Sequence, residues 1–249
     1  MSADLRQTRK GNVVVLALDR PERRNAMDIS VTRNLADTFD SLVKDETVNA
    51  VILQGHSHGF GAGTDLKALG GQTVTEMVSD EREMAALARS FNRYPKPIIA
   101  AVDGFAIGGG AVFAASCDVV FTSKAAKWAL PEVPIGWNAA YGIAALQARL
   151  GAVTARHILW GVDMFDGLTA HKLGLADFIS KDSAAESALA YAQKLAAMPM
   201  HAVLATKRLT VAAIDKESTS LDNLAIKAFA DCLAFDEAQA TLRKFGMVG

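Results

Sequence analysis

The residues from Pro97 to Asp118, PIIAAVDGFAIGGGAVFAASCD, constrain this chain more than any others. An apolar run leads into three consecutive glycines, Gly108, Gly109 and Gly110, and small apolar residues follow at helical spacing. A glycine inside a helix or strand costs about 1 kcal/mol relative to alanine. Three in a row make sense where backbone N–H groups must stand bare at a helix start, close to negative charge. The segment is therefore a candidate anion or oxyanion site, with close packing alone as the plain alternative. GFAIGGG lacks the acidic partner of a dinucleotide fingerprint. Asp103 interrupts the run, and no other stretch approaches about 18 uninterrupted apolar residues, so a membrane span is not expected.

The chain has 249 residues, 51% of them hydrophobic, which is ample for a well-buried core. Its formal net charge is −1 and it has no long run of lysine or arginine, so nucleic-acid and membrane-surface roles lack their usual electrostatic footprint. Cys117 and Cys232 lie far apart in apolar, helix-like contexts. They read as reduced thiols, neither a disulfide framework nor a metal site. The opening residues MSADLRQTRKGN carry no apolar core of a signal peptide, and a cytoplasmic location is expected.

Val13–Leu18, Ala50–Gln54, Pro97–Val102 and Val119–Thr122 read as buried strands. Between the first two, Val31, Leu35, Phe39 and Leu42/Val43 mark one helix face, with Ser30 as its N-cap. Met77–Tyr94 reads as a charged amphipathic helix, either a lid or a solvated face, and Ala111–Ser116 as a short buried helix. Strand and helix alternate, so the class is α/β. After about residue 180 only helical stripes remain, at Ala185, Ala188/Leu189, Ala192 and Leu195, then at Leu221, Leu224/Ala225, Ala228/Phe229 and Cys232/Leu233. This last part caps the core or packs on another subunit.

A second glycine-rich turn, Gly59-Phe60-Gly61-Ala62-Gly63-Thr64-Asp65-Leu66-Lys67, follows the Ala50–Gln54 strand, with helix-like residues expected after it. Two such turns on neighbouring strands can aim two N–H groups at one oxygen, as a thioester carbonyl becoming an enolate requires. One such donor is worth about 3–4 kcal/mol in the transition state. Glu132 stands in the apolar, aromatic, proline-rich stretch KWALPEVPIGW. Desolvation there would raise its pKa toward working pH, the tuning that acid–base catalysis needs; the alternative is a surface-loop glutamate. His56 and His58 have no carboxylate or cysteine cluster to complete a metal site, and no metal is expected. His157, His171 and His201 read as structural or surface residues. Trp128, Trp137 and Tyr141 read as pocket-lining or core residues.

LDRPERRNAM from Leu18, the FGAGTDLK turn, VDGFAIGGG with Cys117-Asp118, LPEVPIG and Gly161…Ala170…Gly174-Leu175 occur in an order and spacing that resembles the crotonase, or enoyl-CoA hydratase/isomerase, superfamily. The resemblance spans nearly the whole chain. It implies a spiral core of repeated ββα turns over residues 1–196 and a helical oligomerisation region over 197–249, building trimers or pairs of trimers. It further implies acyl-CoA thioester substrates, with no cofactor beyond the coenzyme A of the substrate itself.

The resemblance implies oxyanion donors at the N–H groups of Thr64 and Gly109, with Glu132 as acid/base. It places Arg24, Ala26, His58, Ala62, Lys67, Gly108 and Trp137 along the coenzyme A or acyl group, and Arg243 or Lys244 near a neighbouring subunit's phosphates. One of the two glutamates of the family's hydratases falls on Val112 here, and an aspartate of some isomerases and dehalogenases falls on Ala140. Trp137, Asn138, Ala139 and Ala140 replace the usual proline and glycines after Gly136. A single carboxylate over an enolate suits a 1,3-proton shift, with Glu132 taking a proton from C2 of a 3-enoyl thioester and returning it at C4. Hydration with one glutamate and a catalytically degenerate acyl-CoA-binding protein are the alternatives.

Overall fold

A computed structural model describes residues 4–56 and 59–245. The chain opens on β1 (Leu5–Lys10), which turns at Gly11 into β2 (Val13–Leu18) and pairs with it antiparallel. The helix α1 (Ile29–Lys44) follows. Its N-cap is Asp28 rather than Ser30, because the Asp28 carboxylate accepts from the Val31 N–H at 3.0 Å. The strand β3 (Ala50–Gly55) then adds parallel to β2. The second helix, α2 (Val74–Arg93), starts three residues earlier than its apolar periodicity predicts. A reciprocal cap sets that start: the Thr73 hydroxyl accepts from the Glu76 N–H, and the Glu76 carboxylate accepts from the Thr73 N–H at 2.7 Å.

Next come β4 (Ile98–Val102), β5 (Phe105–Ile107), α3 (Gly109–Ser116), β6 (Val119–Ser123) and β7 (Lys127–Ala129). The chain continues through α4 (Ile143–Leu159), β8 (Phe165–Asp166), α5 (Gly167–Leu173) and β9 (Phe178–Ser180). It closes with α6 (Ala184–Ala196), α7 (Met200–Cys232) and α8 (Asp236–Lys244). The main sheet runs β1-β2-β3-β4-β6-β9 and is parallel beyond the first pair. A small second sheet, β5-β7-β8, stands beside it.

The central strands read as unbroken apolar runs because both faces of the sheet are covered. Leu16, Val51, Leu53, Ile98 and Ala100 face a large core shared with α1, α2 and α3. Val13, Ala50, Ile52, Ile99 and Ala101 face a smaller one, closed by Ala184, Ala188, Ala192 and Ala196 of α6. Asp103, the charge that interrupts the apolar run, sets that helix in place. Its carboxylate accepts from the N–H groups of Ala184 and Ala185, at 3.1 and 3.3 Å.

The helical C-terminal part caps the core. Along α7, Ala225, Ile226, Phe229 and Leu233 are buried, while Leu224 faces solvent, so the apolar stripe is rotated relative to the one its periodicity predicts. Two ion pairs hold the helix down. Asp222 pairs with Arg89 of α2 and accepts from the Gly142 N–H. Lys207 pairs with Asp118 at 2.7 Å and donates to the carbonyls of Phe91 and Lys96, both at 3.0 Å. Asp118 in turn accepts from the Ile98 N–H, so one buried pair ties α7, α2 and the start of β4 together. Among the described residues, no helix is long and apolar enough to cross a membrane.

Removing the lysine would leave the Asp118 carboxylate buried without its cation. Lys207→Ala should therefore cost about 3–5 kcal/mol, whereas Arg6→Ala at the exposed pair with Asp19 should stay within about 0.5 kcal/mol of wild type. Urea unfolding of both variants checks this.

Candidate active site

The two glycine turns meet. Residues 59–61 run alongside β5, with Phe60 N–H donating to the Phe105 carbonyl at 2.8 Å and Ile107 N–H donating to the Gly61 carbonyl at 2.9 Å. This brings Gly61 against Gly110, where a Cβ would sit 2.3 Å from the Gly61 oxygen. It also brings Gly63 (φ +84°) against the next turn, where a Cβ would lie 3.0 Å from the Gly109 nitrogen. Only glycine permits either approach. The residues after Gly63 form turns, not the helix expected there.

The first turn is held from behind by the loop that follows β2. Met27 bridges Thr64: its N–H donates to the Gly63 carbonyl and its carbonyl accepts from the Asp65 N–H, both at 2.8 Å. That pairing uses the outer side of the Gly63–Asp65 backbone and leaves the Thr64 N–H on the opposite side, toward the cavity. Gly109 opens α3, so its N–H has no partner within the helix. No described acceptor takes a bond from either N–H.

Glu132 arrives through the small sheet. β5 and β7 are parallel with Ile107 opposite Ala129, so the chain leaves both strands at one end, toward Gly108 and toward Pro131-Glu132. Gly108 N–H donates to the Ala129 carbonyl at 2.9 Å. Gly161 presses on the Leu130-Pro131 backbone, where a Cβ would sit 2.2 Å from the Leu130 oxygen. The Glu132 Oε1 consequently lies 3.0 Å from where a Cβ on Gly108 would be, while Oε2 is sealed from solvent and has no partner among the described residues. Burial pushes the Glu132 carboxyl up to about 7.

These groups line one cavity of about 90 Å³, with Ala62, Val112, Trp137, Ala140, Tyr141 and Phe229 in its wall. It is large enough only for the reacting end of a ligand. Val112 is buried and packs onto Gly142, so the wall at that position is apolar. Trp137 meets Phe229 edge-on at 5.6 Å. Trp128 does not reach the cavity; it is wholly buried and donates to the Thr122 hydroxyl at 3.1 Å. Tyr141 places its hydroxyl 2.6 Å from where a Cβ on Gly109 would be.

One residue in the wall was not anticipated. Glu81 lies on α2 within the buried stripe Met77, Glu81, Met84, Ala85, Ala88 and Phe91, not on a solvated face. It is 7% exposed and accepts from the Thr64 hydroxyl at 3.3 Å. Burial pushes its carboxyl up to about 7, against the pull of the Thr64 hydroxyl and with a further push from the charge of Glu132. The available signal was positional: Glu81 falls four residues after Met77 and four before Ala85, on a row otherwise apolar.

The remaining predicted positions fall mainly on the loops joined to the first glycine turn. Arg24 is exposed, stacks its guanidinium 4.9 Å from the Phe105 ring centre, and its carbonyl accepts from the Ala62 N–H at 3.2 Å. Ala26 is buried one residue before the Met27 bridge, and Lys67 is exposed just beyond Thr64. The structure thus brings Arg24, Ala26, Ala62 and Lys67 together on two joined loops. Asn25 braces them, with its amide donating to the carbonyls of His56 and Gly59 at 3.2 and 2.7 Å. His58 lies outside the described residues. Arg243 and Lys244 are exposed at the end of α8. Among the described residues, no group of three His, Cys, Asp or Glu side chains is arranged to hold a metal.

The α/β core is the fold of the crotonase-type enzymes. The family model for enoyl-CoA hydratase/isomerase matches residues 8–246, and the chain belongs to that family. It is 36% identical over 212 residues, 83% of each chain, to a Thermus thermophilus protein carrying a provisional enoyl-CoA hydratase name. It is 30% identical to the 2,3-dehydroadipyl-CoA hydratase of Escherichia coli, over 83% of this chain and 81% of that one. A solved enoyl-CoA hydratase/isomerase from Mycobacterium paratuberculosis superimposes with a TM-score of 0.88 at 25% identity, over 98% of this chain and 99% of that one.

Both buried carboxyls have folded values raised above the unfolded one, so each binds its proton more tightly in the folded state. The stability they contribute is complete below about pH 4.5 and is lost as pH rises toward about 7. Glutamine cannot ionise. Glu81→Gln should match wild-type stability near about pH 4.5 and exceed it at about pH 8, by up to about 3 kcal/mol. Thermal unfolding across that range checks the sign.

Proposed function

We propose that this protein isomerises enoyl-CoA thioesters through an enolate, with Glu132 as the base. The carrying observation is the placement of Glu132: an unpartnered carboxylate oxygen sealed inside the cavity that the bare N–H groups of Gly109 and Thr64 also face. A thioester carbonyl bound by those N–H groups has its C2 hydrogens acidified. Glu132 takes one of them, and the developing negative charge moves onto the oxygen between the two donors. Delivery of a proton at C4 of a 3-enoyl chain then gives the conjugated 2-enoyl thioester.

Arg24, Ala26, Ala62 and Lys67 lie where the coenzyme A moiety would cross the joined loops, with Gly108 and Trp137 beside the acyl group. The chemistry calls for no metal or redox cofactor, since coenzyme A arrives as part of the substrate. Migration fits the wall better than hydration, because Val112 and Ala140 offer nothing to hold a water. The competing reading, addition of water to a 2-enoyl thioester, is favoured by the second carboxyl at Glu81 and by the hydratase names of the relatives.

A homo-oligomer, a trimer or a pair of trimers, belongs to the same reading. It is supported by the exposed apolar residues Val153, Trp160, Val162 and Met164, in the second half of α4 and in the turn that follows. Sedimentation of the purified protein should show a trimer or hexamer, and a monomer at all concentrations would remove that part.

The reaction itself is tested by offering 3-hexenoyl-CoA and 2-hexenoyl-CoA to the wild type. Formation of the conjugated isomer from the first is expected, and a product heavier by one water from the second would favour hydration. Glu132→Gln should lower kcat by ~10²–10⁴-fold with acyl-CoA affinity retained. Wild-type turnover in that variant would sink the mechanism.

A further inference from the structure

We propose that Glu81 is the second proton-carrying group of this site, delivering to C4 of the substrate the proton that completes the migration Glu132 begins. The inference rests on the isomerase reading above. Its geometric basis is independent of that reading: Glu81 and Glu132 line the same small cavity from different elements, α2 and the loop after β7. Glu81 is tied to the oxyanion turn itself, because the residue whose N–H faces the cavity also donates its hydroxyl to the Glu81 carboxyl.

A carboxyl buried for structural reasons is ordinarily held by a cation or by several donors. Among the described residues the Glu81 carboxyl forms no ion pair, and the hydrogen bond it accepts is that from Thr64, at 3.3 Å. Its α2 neighbours are accommodated differently: Glu83 lies on the exposed face and pairs with Arg33, and Asp80 accepts from Gln72 at 2.8 Å. Met77, Met84 and Ala85, all buried and apolar, occupy the adjoining positions of the stripe. The carboxyl is therefore free to serve the cavity.

The step balances with one carboxyl ionised and one protonated. The Glu132 carboxylate takes a proton from C2; the C2–H bond breaks and its electron pair flows into a dienolate whose oxygen rests on the Thr64 and Gly109 N–H groups. The Glu81 carboxylic acid then gives its proton to C4. The C3=C4 pair forms the new C4–H bond, the C1=C2 pair moves to C2=C3, and the oxygen pair restores the carbonyl. Glu132 ends protonated and Glu81 ionised, and exchange of a proton with water resets the pair. Two like charges in one apolar cavity favour this one-proton resting state.

The test follows 3-hexenoyl-CoA in D2O with two readouts: formation of 2-hexenoyl-CoA, and entry of deuterium at C2 of the recovered substrate. In Glu81→Gln, migration should fall by ~10²-fold or more, while deuterium entry at C2 stays near the wild-type rate, because Glu132 and the donors are untouched. Thr64→Val keeps the backbone N–H and loses the hydroxyl. It should shift the two readouts apart in the same direction by a smaller factor, and Thr64→Ser should restore them.

Migration at the wild-type rate in Glu81→Gln would overturn the proposal. So would equal loss of migration and exchange, which is the signature of a structural role. Should Glu81→Gln fold poorly, the Thr64→Val and Thr64→Ser pair decides by the same divergence. Failure of the isomerase reading shows separately, as wild-type protein that leaves 3-hexenoyl-CoA unchanged or as full turnover in Glu132→Gln.

Discussion

The structure depends on two lengths of backbone that touch with no side chains between them. Gly61 meets Gly110, and Gly63 meets the Gly108-Gly109 peptide, at separations where a Cβ on Gly110 or Gly63 would crowd backbone atoms. The distance between the Thr64 and Gly109 N–H groups follows from this contact, as does the place where a substrate oxygen could sit. The contact is imposed from outside the site. β3 and β4 are parallel neighbours, so the turns that follow them leave the same edge of the sheet, and the backbone bonds between residues 60–61 and β5 fix their relative height. The propensity penalty of so many glycines, about 1 kcal/mol each in regular structure, is carried by a sheet buried on both faces.

What the sequence shows of this fold follows from burial. β2, β3, β4 and β6 are covered on both sides and so appear as continuous apolar runs. β1 is invisible in the same reading because it is an edge strand with only Leu5 buried. β5, β7 and β8 span three, three and two residues, too few for any periodicity, although they aim Glu132. The cap of α1 moves from Ser30 to Asp28 because either residue has the chemistry and only the backbone selects between them. Arg24 and Asn25 adopt left-handed conformations, at φ 55° and 54°, that nothing in their residue types announces.

The site was legible to the same uneven degree. Glycine clusters are informative because their cost demands a reason, and the apolar setting of Glu132 marks it out. Glu81 was hidden by its surroundings: in Asp80-Glu81-Arg82-Glu83 one charge among four points inward, and only the register of α2 says which. A charged run reads as a solvated face because most of its members are solvated.

The two carboxyls also bear on the meaning of Val112. Every residue of α3 is buried, and Val112 presses against Gly142, whose φ of 82° and missing Cβ make the room. An apolar residue at that position seals the wall on the α3 side. Charge enters instead from α2, on the side of the cavity where Thr64 supplies both an N–H and a hydroxyl. In the proposed migration the acid–base pair is divided between a helix and a loop, and the Thr64 hydroxyl donates to the carboxyl of the helix member. In the proposed migration the two carboxyls act at two separated points along an extended acyl chain. Moving a proton between C2 and C4 requires that separation, whereas adding one water across a double bond places its demands on two adjacent carbons.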